Sequence, residues 1–215
     1  VPEPYLIPPA AFESAESIPR FDNIAPSLGL ATYDMCGGAI ADDFDNDGYL
    51  DLVVSTWDTQ GQLRFFRNNG DGSFSERTAE AGLEGLYGGL NIIQADYDND
   101  GNVDFLVMRG AWQAELGRRP NSLVRNNGDG TFTDVTVDAG LGQVHFPSQT
   151  ASWGDYDNDG DLDLVLMGQD ANREYWSGLF ANDGRGAFVL IDSLVGLANG
   201  EVLWGDADGD GDQDL

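Results

Sequence analysis

The sequence predicts an all-β chain made of repeated units, each of four short antiparallel strands. Three observations predict it: an acidic pattern that recurs four times, an Asn-Gly or Asp-Gly turn that keeps step with it, and short apolar runs between the two. The acidic pattern reads "DFDNDGYLDL" from Asp43, "DYDNDGNVDF" from Asp96, "DYDNDGDLDL" from Asp155 and "DADGDGDQDL" from Asp206. The first aspartates are 53, 59 and 51 residues apart, and self-similarity at about that period marks an array, a solenoid or a propeller.

All four copies obey D-x-D-x-D-G-x-x-D. A charge run is ordinarily a solvated face, but such a face has no reason to repeat this spacing four times. Calcium supplies the reason. Ca²⁺ takes six to eight oxygen ligands at about 2.3–2.6 Å. Carboxylates at positions 1, 3 and 5 converge on one point if the chain turns sharply, and the glycine at position 6 permits the turn. The predicted ligands are Asp43, Asp45, Asp47, the Tyr49 carbonyl and Asp51 in the first loop. In the second they are Asp96, Asp98, Asp100, the Asn102 carbonyl and Asp104. The third loop offers Asp155, Asp157, Asp159, the Asp161 carbonyl and Asp163, and the fourth Asp206, Asp208, Asp210, the Asp212 carbonyl and Asp214. Up to four Ca²⁺ ions are expected. Mg²⁺ demands strict octahedral geometry and gives up water reluctantly. Zinc favours nitrogen and sulfur, and the chain has one histidine and one cysteine. An EF-hand needs a bidentate Glu at position 12; Val54, Val107 and Leu166 stand there, and the fourth copy ends first.

Apolar, β-branched-rich runs flank each loop. "GGAIA", "NIIQA", "TASW" and "EVLW" precede it as first strands, and "LVVS", "FLVM" and "LVLM" follow it as second strands. The third strands, "LRFF", "SLV" and "GLF", run into "RNNGDGSF", "RNNGDGTF" and "ANDGRGAF", read here as hairpin turns. The fourth strands begin at Phe74, Phe132 and Phe188 and close on Gly-Leu. Four antiparallel strands in about fifty residues make a β-propeller blade. The expected divisions are a Pro-rich extension (1–20), a closing outer strand (21–30, "FDNIAPSLGL"), blades at 37–83, 89–141 and 148–197, and an incomplete blade at 200–215. A first half-blade at one end and a lone fourth strand at the other are complementary. The chain is therefore expected to be part of a larger propeller, of about seven blades, or to take its missing strands from a longer chain or a neighbouring copy.

D-x-D-x-D-G-x-x-D after a Gly-Gly strand resembles the FG-GAP/VCBS repeats of integrin-α propellers. The string "RGAW…RRPNSLVRNNGDGTFTDVTVDAGL", residues 109–141, is more similar still to the cartilage acidic protein/UnbV group of secreted propellers. The resemblance implies a calcium-bearing propeller acting as an extracellular adhesion or interaction module, with some enzymes among its relatives.

Composition narrows the partners. The chain carries a net charge of −28, and all ten of its basic residues are arginine. Nucleic-acid binding needs a basic face, so nucleic acid is excluded, as is an anionic membrane surface. No apolar run approaches the length of a membrane span. Four Ca²⁺ ions would bring the charge only to −20, so the surface stays acidic. Cys36 is a lone cysteine and says nothing of redox compartment. Calcium modules of the extracellular class bind with Kd of about 10⁻⁴–10⁻³ M, so a location outside the cell, secreted or at a cell surface or in a periplasm, is expected.

Antiparallel order puts the calcium loops and the strand-three-to-four turns on one face. The strand-two-to-three loops lie opposite and carry Trp57, Trp112, Trp176, Arg118, Arg119 and Arg173. These tryptophans either pack between blades or offer a recognition surface for a protein or glycan. Trp153 and Trp204, two residues before a first aspartate, are assigned to the core. Two other functions stay open: a polysaccharide-lyase-like enzyme, for which His145 is the one histidine, and a matrix or filament subunit.

Overall fold

The structure is a computed structural model that describes residues 22–32, 36–110, 119–144, 147–169, 174–196 and 200–215. Twelve strands form three four-stranded antiparallel sheets, each in sequence order. The first holds β1 (Cys36–Asp42), β2 (Asp51–Thr56), β3 (Arg64–Asn68) and β4 (Phe74–Glu76). The second holds β5 (Asn91–Ala95), β6 (Asp104–Met108), β7 (Ser122–Asn126) and β8 (Phe132–Asp134). The third holds β9 (Ser148–Gly154), β10 (Asp163–Gln169), β11 (Tyr175–Asn182) and β12 (Phe188–Val195). First strands stand side by side, β1 against β5 and β5 against β9, as blades do around a shared axis. No ring closes among the described residues.

Second strands lie inside the sheets and are apolar on both faces for that reason. All five residues of β6 are buried, as are the first six of β10. Between blades the core is aromatic. Phe44, fully buried, meets Phe65, Phe105 and Phe132 edge-on at centroid distances of 6.2, 6.3 and 5.8 Å. One period later Tyr97 stacks on Trp153 at 6.0 Å and meets Phe188 at 5.7 Å. Phe44 and Tyr97 both occupy position 2 of an acidic loop, so each loop is anchored in the core by its own side chain. Burying one such ring stabilises the fold by roughly 1.5–3 kcal/mol. Trp153 and Trp204 pack against the core as expected, both partly buried.

Two expected strands are corrected. Residues 21–30 do not supply an outer strand: among the described residues of that stretch, Ala25–Leu28 is a short 3-10 helix. Pro26 removes a ladder donor, and Asn23 Oδ1 accepts the Ala25 N–H at 3.2 Å, as a turn does. "EVLW" is not a strand either; the one bridge there pairs Gly205 with Asp214.

The outer strands of the first two blades are also shorter than expected, three residues each, and the Gly-Leu ending of the motif is a latch. The Phe132 N–H donates to Ala81 O, and the Phe188 N–H to Ala139 O, each at 2.9 Å. Gly140, with φ +81°, sits so close to the next blade that a Cβ would lie 2.6 Å from Phe188 O. Gly29 stands in the same relation to Phe74 O, so the 22–32 segment keeps the close approach of the motif's glycine without its strand.

Candidate metal centres

Each of the first three acidic loops joins a first strand to a second. It turns twice through the left-handed region, at position 4 and at position 6. Asn46, Asn99 and Asn158 have φ of 57°, 56° and 60°, and Gly48, Gly101 and Gly160 have φ of 91°, 88° and 92°. Asparagine tolerates that region better than other non-glycine residues. The sequence reading assigned the turn to glycine alone, and position 4 was missed.

The turns gather the carboxylates. Asp43, Asp45 and Asp51 each bring one oxygen within 4.8 Å of the others; so do Asp96, Asp98 and Asp104, then Asp155, Asp157 and Asp163. Two oxygens at about 2.4 Å from one calcium ion lie at most about 4.8 Å apart, so each trio fits around one ion. In the exposed fourth loop the trio is Asp206, Asp208 and Asp210.

Hydrogen bonds explain which residues are brought together. The first aspartate holds the turn: Asp43 Oδ1 accepts the Asp47 N–H at 2.9 Å and Oδ2 the Gly48 N–H at 2.8 Å. Asp96 and Asp155 do the same for their own loops. The ninth accepts two backbone donors. Asp51 takes the N–H of Phe44 at 3.2 Å and of Asn68 at 2.7 Å, and Asp104 and Asp163 repeat the pattern. The fifth is held apart in the first three loops. Asp47, Asp100 and Asp159 turn onto the N–H of position 7 at 3.0, 2.8 and 2.9 Å and stand outside the trios. A short side chain that bonds its own backbone two residues on forms its own turn. In the fourth loop Asp214 accepts the Ala207 N–H at 2.9 Å and stands outside the trio. At position 7, from Tyr49 to Asp212, the N–H is taken by the position-5 carboxylate.

The electrostatics ask for a cation. Burial pushes Asp51 up to about 6 and Asp104 up to about 8, with neighbouring carboxylates adding to the shift. Asp163 and Asp98 are raised for the same reasons. Asp45 Oδ1 and Asp98 Oδ1 are buried without a hydrogen-bond donor, which is an expensive arrangement for a carboxylate unless a cation meets it. In the first loop a cation is near: Arg67 Nε donates to Asp45 Oδ2 and Nη2 to Asp47 Oδ2, the latter at 2.7 Å. Arg125 holds the matching place in the second repeat and Ala181 in the third.

Sequence reasoning took the "RNNGDG" motif for a turn alone, yet its first asparagine is structural to the site. Asn126 Nδ2 donates to Val103 O at 3.2 Å within its own loop and to Phe44 O at 2.8 Å in the preceding one. Asn182 does the same with Leu162 O and Tyr97 O. The loops are also joined at their rims. Asn46 donates to Asn102 Oδ1 at 3.0 Å, Asn99 to Asp161 Oδ1 at 2.9 Å, and Asn158 to Asp212 Oδ1 at 2.6 Å. The recurring position of the asparagines was the available signal.

A model of the FG-GAP-like repeat matches residues 43–107 and 112–166, which takes in the first three acidic loops. The chain belongs to the FG-GAP-like repeat family. Two curated relatives of this repeat protein align over most of its length. It is 27% identical over 176 residues to cartilage acidic protein 1 of Xenopus tropicalis, covering 76% of this chain and 26% of that protein. It is 24% identical over 159 residues to cartilage acidic protein 1 of Homo sapiens, covering 74% and 23%. The chain thus spans about a quarter of the length of these relatives.

On the opposite face Trp57 and Arg119 border one crevice together with Tyr87 and Arg109. Trp176, on the same side, is half-buried against Phe180 at 6.1 Å, so it packs within a blade. Trp112, Arg118, Arg173 and His145 lie outside the described residues. No helix among the described residues is long and apolar enough to cross a membrane.

Proposed function

We propose that this FG-GAP-like repeat protein is a secreted calcium-binding propeller module, in which the ions hold the blades together and an extracellular partner is bound on the face away from them. The observation that carries the calcium reading is the pair of buried, donorless oxygens, Asp45 Oδ1 and Asp98 Oδ1, at the centre of repeated carboxylate trios. A hard dication with oxygen ligands answers both the charge and the distances. The fifth aspartate, by a side-chain rotation, and the position-7 backbone carbonyl would complete the shell.

The extracellular reading is supported by the relatives' name, which places them with cartilage, and by the weak affinity expected of such sites. That name denotes an acidic protein and no enzyme, and this chain shares the acidic balance at −28. We read the module as non-enzymatic: its role is adhesion or interaction, and calcium is structural.

Titration calorimetry tests the assignment. Ca²⁺ should bind at more than one site, with Mg²⁺ weaker, and Asp98→Asn with Asp104→Asn should remove one site from the stoichiometry. Equal binding of Mg²⁺ and Ca²⁺, or unchanged stoichiometry in the double variant, would contradict it.

A further inference from the structure

The face away from the acidic loops holds a cavity of about 580 Å³ between the first blade-to-blade link and the outer edge of the second blade. Its wall includes Leu86, Tyr87, Arg109, Arg119, Pro120 and Val137. Arg109 is the anomaly. It is 7% exposed, yet among the described residues no carboxylate lies within ion-pairing distance of it. Nε donates to Tyr87 O at 2.7 Å, and Nη1 to Ser122 Oγ at 2.7 Å and Pro120 O at 3.2 Å. All three acceptors are neutral. Nη2 has no hydrogen-bond partner among the described residues.

Buried charges are normally paired, and a chain with 38 acids has no shortage of candidates. Asp134, also in the cavity wall, is reached only through Ser122, whose Oγ donates to it at 3.1 Å. Arg119, exposed on the same wall, adds a second positive charge. Two of ten arginines therefore face one cavity in a protein of net charge −28. The remaining wall mixes the polar Asn121, Ser122 and Thr136 with Leu86, Tyr87, Pro120 and Val137, and of these Tyr87 is 47% exposed and Val137 79%.

We propose that this cavity binds an acidic sugar unit, its carboxylate pairing with Arg109 Nη2 and Arg119 and its ring lying against Tyr87. A carboxylate suits the flat guanidinium fork. The cavity falls in the size range of small-molecule sites, about 300–1,000 Å³, which is more than a bare anion needs, and the Tyr87, Leu86, Pro120 and Val137 surfaces suit the C–H faces of a pyranose. The inference rests on the reading of this face as the ligand face, and not on the identity of the metal.

The test is saturation-transfer NMR and titration with D-galacturonate, D-galactose, N-acetylglutamate and inorganic phosphate, at saturating Ca²⁺. Galacturonate should saturate in the millimolar range or below, with galactose at least tenfold weaker and added salt weakening the acid alone. Val137→Asp, an exposed change that places a negative charge in the wall, should weaken galacturonate about tenfold. Val137→Asn, which keeps the shape of the Asp variant without its charge, should weaken it less than Val137→Asp does, and Arg109→Gln should abolish it if the variant folds. Failure of galacturonate to saturate, equal binding of galactose, or tighter binding of phosphate or N-acetylglutamate would overturn the proposal, as would indifference to Val137→Asp. Melting of the same samples with and without EDTA reports on the metal reading separately, so the two can fail independently.

Discussion

The side-chain amide of Asn126 donates a buried 2.8 Å hydrogen bond to the carbonyl oxygen of Phe44, 82 residues earlier and one blade away. It ties the outer half of the second blade to the loop that carries the first carboxylate trio. Removing it leaves a buried carbonyl without a donor, at roughly 1–3 kcal/mol. Asn126→Ala should therefore lower stability by about that amount, and Asn182→Ala should match it through Tyr97 O. Asn68→Ala should be milder, because Asn68 Nδ2 reaches only Leu50 O at an exposed position. Chemical denaturation of the three variants checks the order.

Asn99 does two things at once. It adopts φ 56° at position 4 and donates to Asp161 Oδ1 in the next loop. Asn99→Ala should destabilise the protein by about 1–2 kcal/mol, from left-handed backbone that alanine disfavours and from the lost bond. Asn99→Gly should recover the backbone part alone. Because the bond joins neighbouring loops, calcium isotherms of both variants should also be less cooperative than that of the parent.

Arg67 is a tethered cation. Its contacts with Asp45 and Asp47 raise its own affinity for its proton and offset part of the repulsion in the first trio. The ion pairs are half-exposed, so Arg67→Ala should lower the melting point in EDTA by only a fraction of a kcal/mol equivalent. The same change should tighten calcium at the first loop by removing a competitor. Weaker calcium binding in Arg67→Ala would show that the arginine supports the site and does not compete for it.

The buried ninth aspartates set a pH dependence whose sign depends on the metal. Without metal, Asp104 is held at about 8 and Asp51 at about 6, above their ordinary 3.8. A raised folded pKa gives stability that is complete below about 4 and is lost as pH climbs through those values. In EDTA the melting point should fall between about pH 4 and about pH 8, with Asp104→Asn flattening much of the slope. With calcium the trend should reverse, since binding displaces the same protons. A melting point in EDTA that rises with pH would contradict the burial argument.

How far the sequence could be read follows from how local each feature is. The gathering of aspartates within each loop was legible because one loop's spacing brings them together, whatever the rest of the fold does. Strand order was legible for the same reason: each hairpin is closed by its own turn. Contacts between blades were not. The bond from Asn126 to Phe44 spans 82 residues, and within "RNNGDGTF" the asparagine is indistinguishable from a turn former. Residues 21–30 misled because "FDNIAPSLGL" keeps the glycine of the latch, while Pro26 and the Asn23 turn break the strand half. Position 5 of the first three loops could not be placed from spacing alone, because a backbone N–H two residues on captures the carboxylate as readily as an ion does.

The most direct test of the central claim is thermal unfolding in excess EDTA against unfolding in millimolar Ca²⁺. Clustered carboxylates repel one another, and each site at ten times its Kd adds about 1.4 kcal/mol. Four sites would then contribute about 5–6 kcal/mol, comparable to the whole stability of an ordinary domain. Chelation should lower the melting point sharply, restored by Ca²⁺ and much less by Mg²⁺. An identical melting curve in EDTA and in calcium would contradict the account.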